Sequence, residues 1–184
     1  MARGCQGRLT PLAALRVAAL LGLAACAPAT TREGFLAGFT PSAHVIHKYE
    51  RIKDEPYAAR VETRGVEAVQ RAVNAVGYRA DGPESAWHPP SRFWERGGDC
   101  EEFALTKGAE LAAQGYEHLY LTVVYGRRTG AAHAVLAVED RGAMVVLDII
   151  APRVMSWAEA SDLYKPAYAI DLRSGKVLLA RTDP

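Results

Sequence analysis

Gly97-Gly98-Asp99-Cys100-Glu101-Glu102-Phe103-Ala104 is the stretch around which the rest of the chain can be ordered. Two glycines break the backbone, a carboxylate follows, and the cysteine falls in what reads as the first turn of a helix. That helix is expected to run to about Gln114 and to end at Gly115. Phe103, Ala104 and Leu111 mark its buried side, and Cys100 lies on the same face. A thiol at a helix start meets the positive end of the dipole, which favours thiolate over thiol. A thiolate so placed is the usual form of a cysteine nucleophile.

Downstream, the periodicity changes to strands. Leu119 to Tyr125, Ala131 to Glu139 and Ala143 to Ile150 are expected as three strands, the last two joined across Asp140-Arg141-Gly142. Ala167 to Leu172 and Lys176 to Ala180 predict a further hairpin, and Ser156 to Tyr164 a short helix capped by Ser156. Several strands are apolar on both faces, so helices are expected over at least one side of the sheet.

Upstream, Glu62 to Ala80 predicts an amphipathic helix with the stripe Val66, Val69, Val73 and Val76, stopped by Gly77 and Asp81-Gly82-Pro83. Val45 to Ile52 predicts a short helix or irregular chain. His44 and His47 are three apart but have no third ligand at metal spacing. Trp87-His88-Pro89-Pro90 is a stiff loop leading to Phe93-Trp94. Its aromatic rings either line a cleft beside the cysteine or pack the loop onto the core. Helices first and an antiparallel sheet after make the fold class α+β.

The chain of 184 residues is 49% hydrophobic and 23% charged, which suits one domain with a real core. Its 22 Lys+Arg and 21 Asp+Glu leave a formal net charge of +1 with no basic run, so nothing points to nucleic acid as a partner. The N-terminus reads as an export signal. Arg3 and Arg8 precede an apolar stretch from Leu12 to Ala25 that is interrupted by Arg16 and too short for a membrane span. It ends in Leu23-Ala24-Ala25-Cys26, which resembles a bacterial lipobox with Cys26 as the lipidated residue. The alternative is an ordinary signal cut near Ala27 or Ala29. Either way residues 1–26 are expected as signal, 27–44 as linker and 45–184 as the folded domain, in the periplasm or cell envelope. Cys5 and Cys26 fall in or beside the signal. Cys100 is then the sole thiol of the domain, and an unpaired thiol outside the cytoplasm is a liability unless it is buried or used.

A cysteine nucleophile needs a base, and the base needs an orienting acceptor. His133 stands alone in the apolar strand Ala131-Ala132-His133-Ala134-Val135-Leu136, and Asp148 stands alone in Val145-Val146-Leu147-Asp148-Ile149-Ile150. A buried imidazole and a buried carboxylate each cost free energy unless paired. Pairing them across the hairpin would satisfy both and raise the basicity of the imidazole. Each residue alone has a plain structural reading. Their joint occurrence with Cys100 makes a Cys-His-Asp triad the sharper one.

Trp87, Pro90, Phe93, the Gly97–Ala104 block and Lys107, followed by Ala132-His133-Ala134-Val135-Leu136-Ala137 and Val146-Leu147-Asp148, resemble the bacterial transglutaminase-like cysteine peptidases of the LapG-type group. The resemblance covers roughly Trp87 to Leu172. It implies a papain-like core related to transglutaminases, with Cys100 as nucleophile, His133 as base and Asp148 as orienter. Characterised members need calcium, cut large surface adhesins and so release cells from biofilms, and are restrained by an inner-membrane receptor that senses cyclic di-GMP. By that likeness Asp99 and Glu101 match the calcium-binding carboxylates. Glu102 departs from the aspartate usual at its place. Independently of the likeness, Asp99 and Glu102 have the spacing of a capping box, which would occupy Asp99 without any metal. Three functions follow for comparison: a cysteine endopeptidase, a transferase or cell-wall peptide hydrolase using the same triad, and a non-catalytic envelope lipoprotein.

Overall fold

The computed structural model of the protein describes residues 29–80 and 86–182. In chain order the elements are α1 (Arg32–Ala37), β1 (Phe39–Ser42), α2 (His47–Glu50), α3 (Val66–Asn74), α4 (Pro90–Arg96), α5 (Cys100–Ala113), β2 (Leu119–Gly126), β3 (Ala132–Asp140), β4 (Ala143–Leu147), β5 (Met155–Ser156), α6 (Trp157–Leu163), β6 (Tyr164–Asp171) and β7 (Val177–Ala180). The strands form one antiparallel sheet in the order β1-β7-β6-β2-β3-β4-β5. The α+β class is as read from the sequence.

The β3–β4 turn shows how local chemistry sets this topology. Asp140 pairs with Ala143, so Arg141 and Gly142 alone make the turn, at φ of 51° and 79°. Two positive φ values match the right-handed twist of the flanking strands, and glycine takes one of them without strain. Register is then fixed by burial: Ala134, Leu136 and Val138 face α3 and α5, while Val135 and Ala137 face the other way.

The main core lies between the sheet and the helix pair α3 and α5. Val66, Val69 and Val73 of α3 meet Phe103, Ala104 and Leu111 of α5 over Leu121, Leu136 and Ile170. Each of these side chains larger than alanine stabilises the fold by roughly 1.5–3 kcal/mol on burial. The opposite face is covered too. Phe35 of α1 sits edge-on to Trp157 of α6, ring centroids 4.7 Å apart, above Tyr120, Met144 and Ala169. Burial on both faces explains the near-continuous apolar runs in β2 and β3.

Three expectations are corrected. The stretch expected as linker, 27–44, contains α1 and β1, because Phe35 and Phe39 bury against the sheet and β1 pairs with β7. The helix expected over Glu62–Ala80 is only Val66–Asn74. Gly65, at φ 99°, opens it, and Tyr78 leaves to bridge Gly98. The strand expected to reach Ile150 stops at Leu147, where Asp148 begins a turn closed by Ile150 N–H on its Oδ1 at 3.1 Å. The signal, Cys26 and Asp81-Gly82-Pro83 lie outside the described residues. Among the described residues no helix is long and apolar enough to cross a membrane.

Candidate active site

The site is built on the N-terminus of α5. Asp99 is its N-cap: Oδ1 accepts the Glu101 N–H at 3.1 Å, while Glu102 Oε2 accepts the Asp99 N–H at 3.0 Å. This reciprocal capping box satisfies donors that a helix start otherwise leaves orphaned. The glycines before it are dictated by close approach. Arg79 N–H donates to Gly98 O at 2.8 Å, and Gly97 sits at φ 66°. A Cβ on Gly97 would run into the Gly77 carbonyl, and one on Gly98 into the Glu102 side chain. The helix is further held by its fully buried Glu110, which accepts the Tyr57 hydroxyl, Arg60 N–H at 2.9 Å and Val61 N–H at 3.1 Å. Phe93 of α4 stacks edge-on against Phe103 at 4.7 Å, and Trp94 Nε1 donates to the Tyr57 hydroxyl at 2.8 Å. These aromatic residues pack the loop onto α5.

Cys100 is half-buried and is the only free cysteine among the described residues. Its Sγ–H donates to Glu101 Oε2 at 2.8 Å. Burial pushes the thiol up from its ordinary range, and the Glu101 carboxylate adds to this. The Ala134 backbone N–H on β3 acts the other way. Burial also raises Glu101, with Asp99 beside it adding to the effect. The other oxygen of Glu101 faces Trp87 Nε1 at 3.3 Å. Glu102 is pushed up to about 7 by burial and by Asp99, against the His88 and Asp99 N–H groups that it accepts.

His133, on β3, places Nε2 2.7 Å from Asp148 Oδ1. The strand ladder ends at Leu136↔Leu147, so Asp148 reaches back to His133 from the turn beyond β4. Desolvation pushes Asp148 up, but the His133 hydrogen bond and charge, Tyr164 O–H on Oδ2 at 2.6 Å and the Ile150 N–H together hold it below the usual carboxylate value. The Asp148 main-chain carbonyl is gripped from α3, by Gln70 Nε2 at 2.7 Å and Asn74 Nδ2 at 3.0 Å.

Of the residues singled out in the sequence, His133 and Asp148 are in direct contact. Cys100 lies on the helix packed across β3, its thiol bonded to Glu101 and not to His133. Asp99, Cys100 and Glu101 each offer one donor atom, and these lie within 4.8 Å of one another. His44 belongs elsewhere, with Nδ1 on Ser42 Oγ at 2.7 Å. The sequence reading missed Gln70, Asn74 and Tyr164. Gln70 could have been noticed as a polar side chain beside an apolar stripe, and Asn74 as its i+4 neighbour. Tyr164 gives no local signal.

The model of the bacterial transglutaminase-like cysteine proteinases matches residues 49–169. The chain belongs to this family. It is a cysteine peptidase, and its helices and antiparallel sheet are those of a transglutaminase-like protease. Among solved structures it is similar to Legionella pneumophila LapG with calcium bound, at 28% identity and a TM-score of 0.54, over 65% of this chain and 69% of that one. It is similar to the EGTA-treated form of the same protein at 28% identity and a TM-score of 0.54, over 64% and 66%. Among curated protein sequences none matches.

Proposed function

We propose that this peptidase is a cell-envelope endopeptidase in which Cys100 is the nucleophile, His133 the general base and acid, and Asp148 the orienter. The observation that carries the reading is the 2.7 Å His133–Asp148 bond beside the helix that begins at Cys100. With Nε2–H on Asp148, the Nδ1 lone pair of His133 is left to take the thiol proton. Sγ then attacks the peptide carbonyl, and the Cys100 N–H at the helix start stabilises the oxyanion. Imidazolium protonates the leaving amine, and water, deprotonated by His133, resolves the thioester to free acid and thiol.

Calcium enters through the donor set. Asp99 and Glu101 offer hard carboxylate oxygens, and Glu101 is a half-buried carboxylate beside a second one, with no cation paired to either among the described residues. The residues fit calcium: Asp99 and Glu101 would hold it, and it would supply countercharge to both. Glu101 engaged in that way would be a weaker acceptor for the Cys100 thiol. The LapG structures with calcium and after EGTA treatment support this assignment by likeness.

The substrate is a protein, and the family resemblance favours a large surface adhesin, with a cyclic-di-GMP-sensing inner-membrane receptor as regulator. The N-terminal stretch read as an export signal, with Cys26 in a lipobox-like setting, favours a domain in the periplasm or anchored in the envelope. The test is mass spectrometry of a peptide library treated with the purified protein, with calcium or with EGTA. Wild type with calcium is expected to cut, and Cys100→Ala to fold and not cut. Cleavage retained by Cys100→Ala refutes the nucleophile. Products carrying an added amine would assign transfer in place of hydrolysis.

A further inference from the structure

Lys107 is a buried lysine that the mechanism above does not use. It is 0% exposed, and its Nζ has no hydrogen-bond partner. It lies two turns beyond Cys100 on the inner face of α5, with Nζ 5.9 Å from the centre of the Phe103 ring. An ammonium buried without hydrogen bonds is among the most costly placements for a side chain, and a methionine would fill the same space without that cost.

α5, in which Lys107 is fully buried, packs on β3, the strand that carries His133, and on α3. Asp148, in the turn after β4, is bonded to His133 and to Tyr164 of β6. Glu110 of α5 is committed to Tyr57 and to the main chain at Arg60 and Val61. Asp148 is the charged group that attracts the Lys107 ammonium. Asp148 takes its donors from His133, Ile150 and Tyr164, and Lys107 Nζ has no hydrogen-bond partner, so the two residues interact by charge across space and not by a hydrogen bond.

We propose that Lys107 is a positioning residue for the catalytic centre: its buried ammonium balances the charge of Asp148 and so holds the Asp148–His133 pair in its working state. The proposal rests on the reading of Asp148 as the orienter of His133. Burial brings Lys107 down to about 7, so its charge is present at and below neutral pH and fades above it. The effect on catalysis should follow the same course.

The test compares wild type, Lys107→Met, Lys107→Arg and Asp148→Asn on a fluorogenic peptide chosen from the library above, with kcat and KM measured from pH 5 to 9. Lys107→Met is expected to show the acid limb of kcat/KM moved up by roughly one pH unit. It should lose about tenfold in kcat near pH 6 with KM unchanged, and match wild type near pH 9. Lys107→Arg should restore the profile. If Lys107→Met does not accumulate, Lys107→Gln, equally neutral, carries the same expectation. A profile of unchanged shape, or a loss equal at every pH, overturns the proposal and leaves a structural lysine. Full activity in Asp148→Asn overturns it by removing the orienter reading beneath it. A loss in Asp148→Asn with no change of profile at Lys107 overturns the lysine proposal alone.

Discussion

Asp148 is where the residue scale is most informative. Its carboxylate binds three donors from three places in the chain, and only the His133 one was suggested by the sequence, through two lone polar residues in apolar strands. Asp148→Asn should lower kcat by at least about a hundredfold, because an amide can hold the imidazole in the wrong tautomer. Circular dichroism should show an intact fold in the same sample. Tyr164→Phe leaves Oδ2 of a buried carboxylate without its donor and should cost about 1–3 kcal/mol in urea unfolding. Lys107 gives a prediction about stability versus pH. Its folded value of about 7 lies below the ordinary 10.5, so between those values the unfolded chain binds the proton more tightly. Wild-type stability relative to Lys107→Met should therefore rise with pH from about 7 to 10.5 and level off beyond. Below pH 7 the full cost of the buried charge, on the order of a few kcal/mol, falls on the wild type. Lys107→Met should then need more urea to unfold at pH 6, and equal midpoints at pH 6 and pH 10 would contradict this.

At the scale of elements, α5 is the most legible part of the chain and also the one whose meaning was left most open. Its start, its end at Gly115 and its buried face follow from glycine breaks, capping spacing and apolar periodicity. Whether Asp99 caps or binds metal could not be read from spacing. The structure shows it capping, with its carboxylate also grouped with Cys100 and Glu101. The two roles are compatible, and they separate experimentally. Asp99→Ala should cost about 1 kcal/mol through loss of the cap, in EGTA as well as in calcium. A rise in Tm on adding calcium should be present in wild type and absent in Glu101→Ala, whose cap is intact. Gly97→Ala should be worse than the cap variant, because both its positive φ and the Gly77 carbonyl oppose a side chain. α3 was read too long because apolar spacing continues to Val76. Spacing cannot register that Gly65 opens the helix or that Tyr78 is drawn off to Gly98.

For the whole molecule, the unforeseen feature is the N-terminal arm. Residues 32–42 fall in the 27–44 stretch expected as linker, yet α1 covers one face of the sheet and β1 extends it beyond β7. Phe35 is 1% exposed and touches Phe39, Tyr120 and Trp157. Phe35→Ala should destabilise by about 3–5 kcal/mol, measured by urea unfolding. Gly108→Ala tests the other layer. A Cβ there would meet Leu172 Cδ1, the movable end of a half-buried side chain, so Gly108→Ala should be absorbed by a turn of Leu172, with less than about 1.5 kcal/mol lost in urea unfolding and cleavage retained.

The sequence by itself determined the α+β class, the helix that presents Cys100, the β3–β4 hairpin and the identities of His133 and Asp148 as unusual polar residues. Those are local properties, carried by turn chemistry, periodicity and the cost of a lone polar group in an apolar strand. Tertiary structure alone decided that β1 closes one edge of the sheet, that α3 grips the Asp148 carbonyl through Gln70 and Asn74, and that Tyr164 completes its carboxylate. It also decided that Lys107 is fully buried with its Nζ unpartnered and that the Cys100 thiol rests on Glu101. Each of these joins residues distant in sequence or turns on which way a side chain points once the core has closed, and no short window of the chain encodes that.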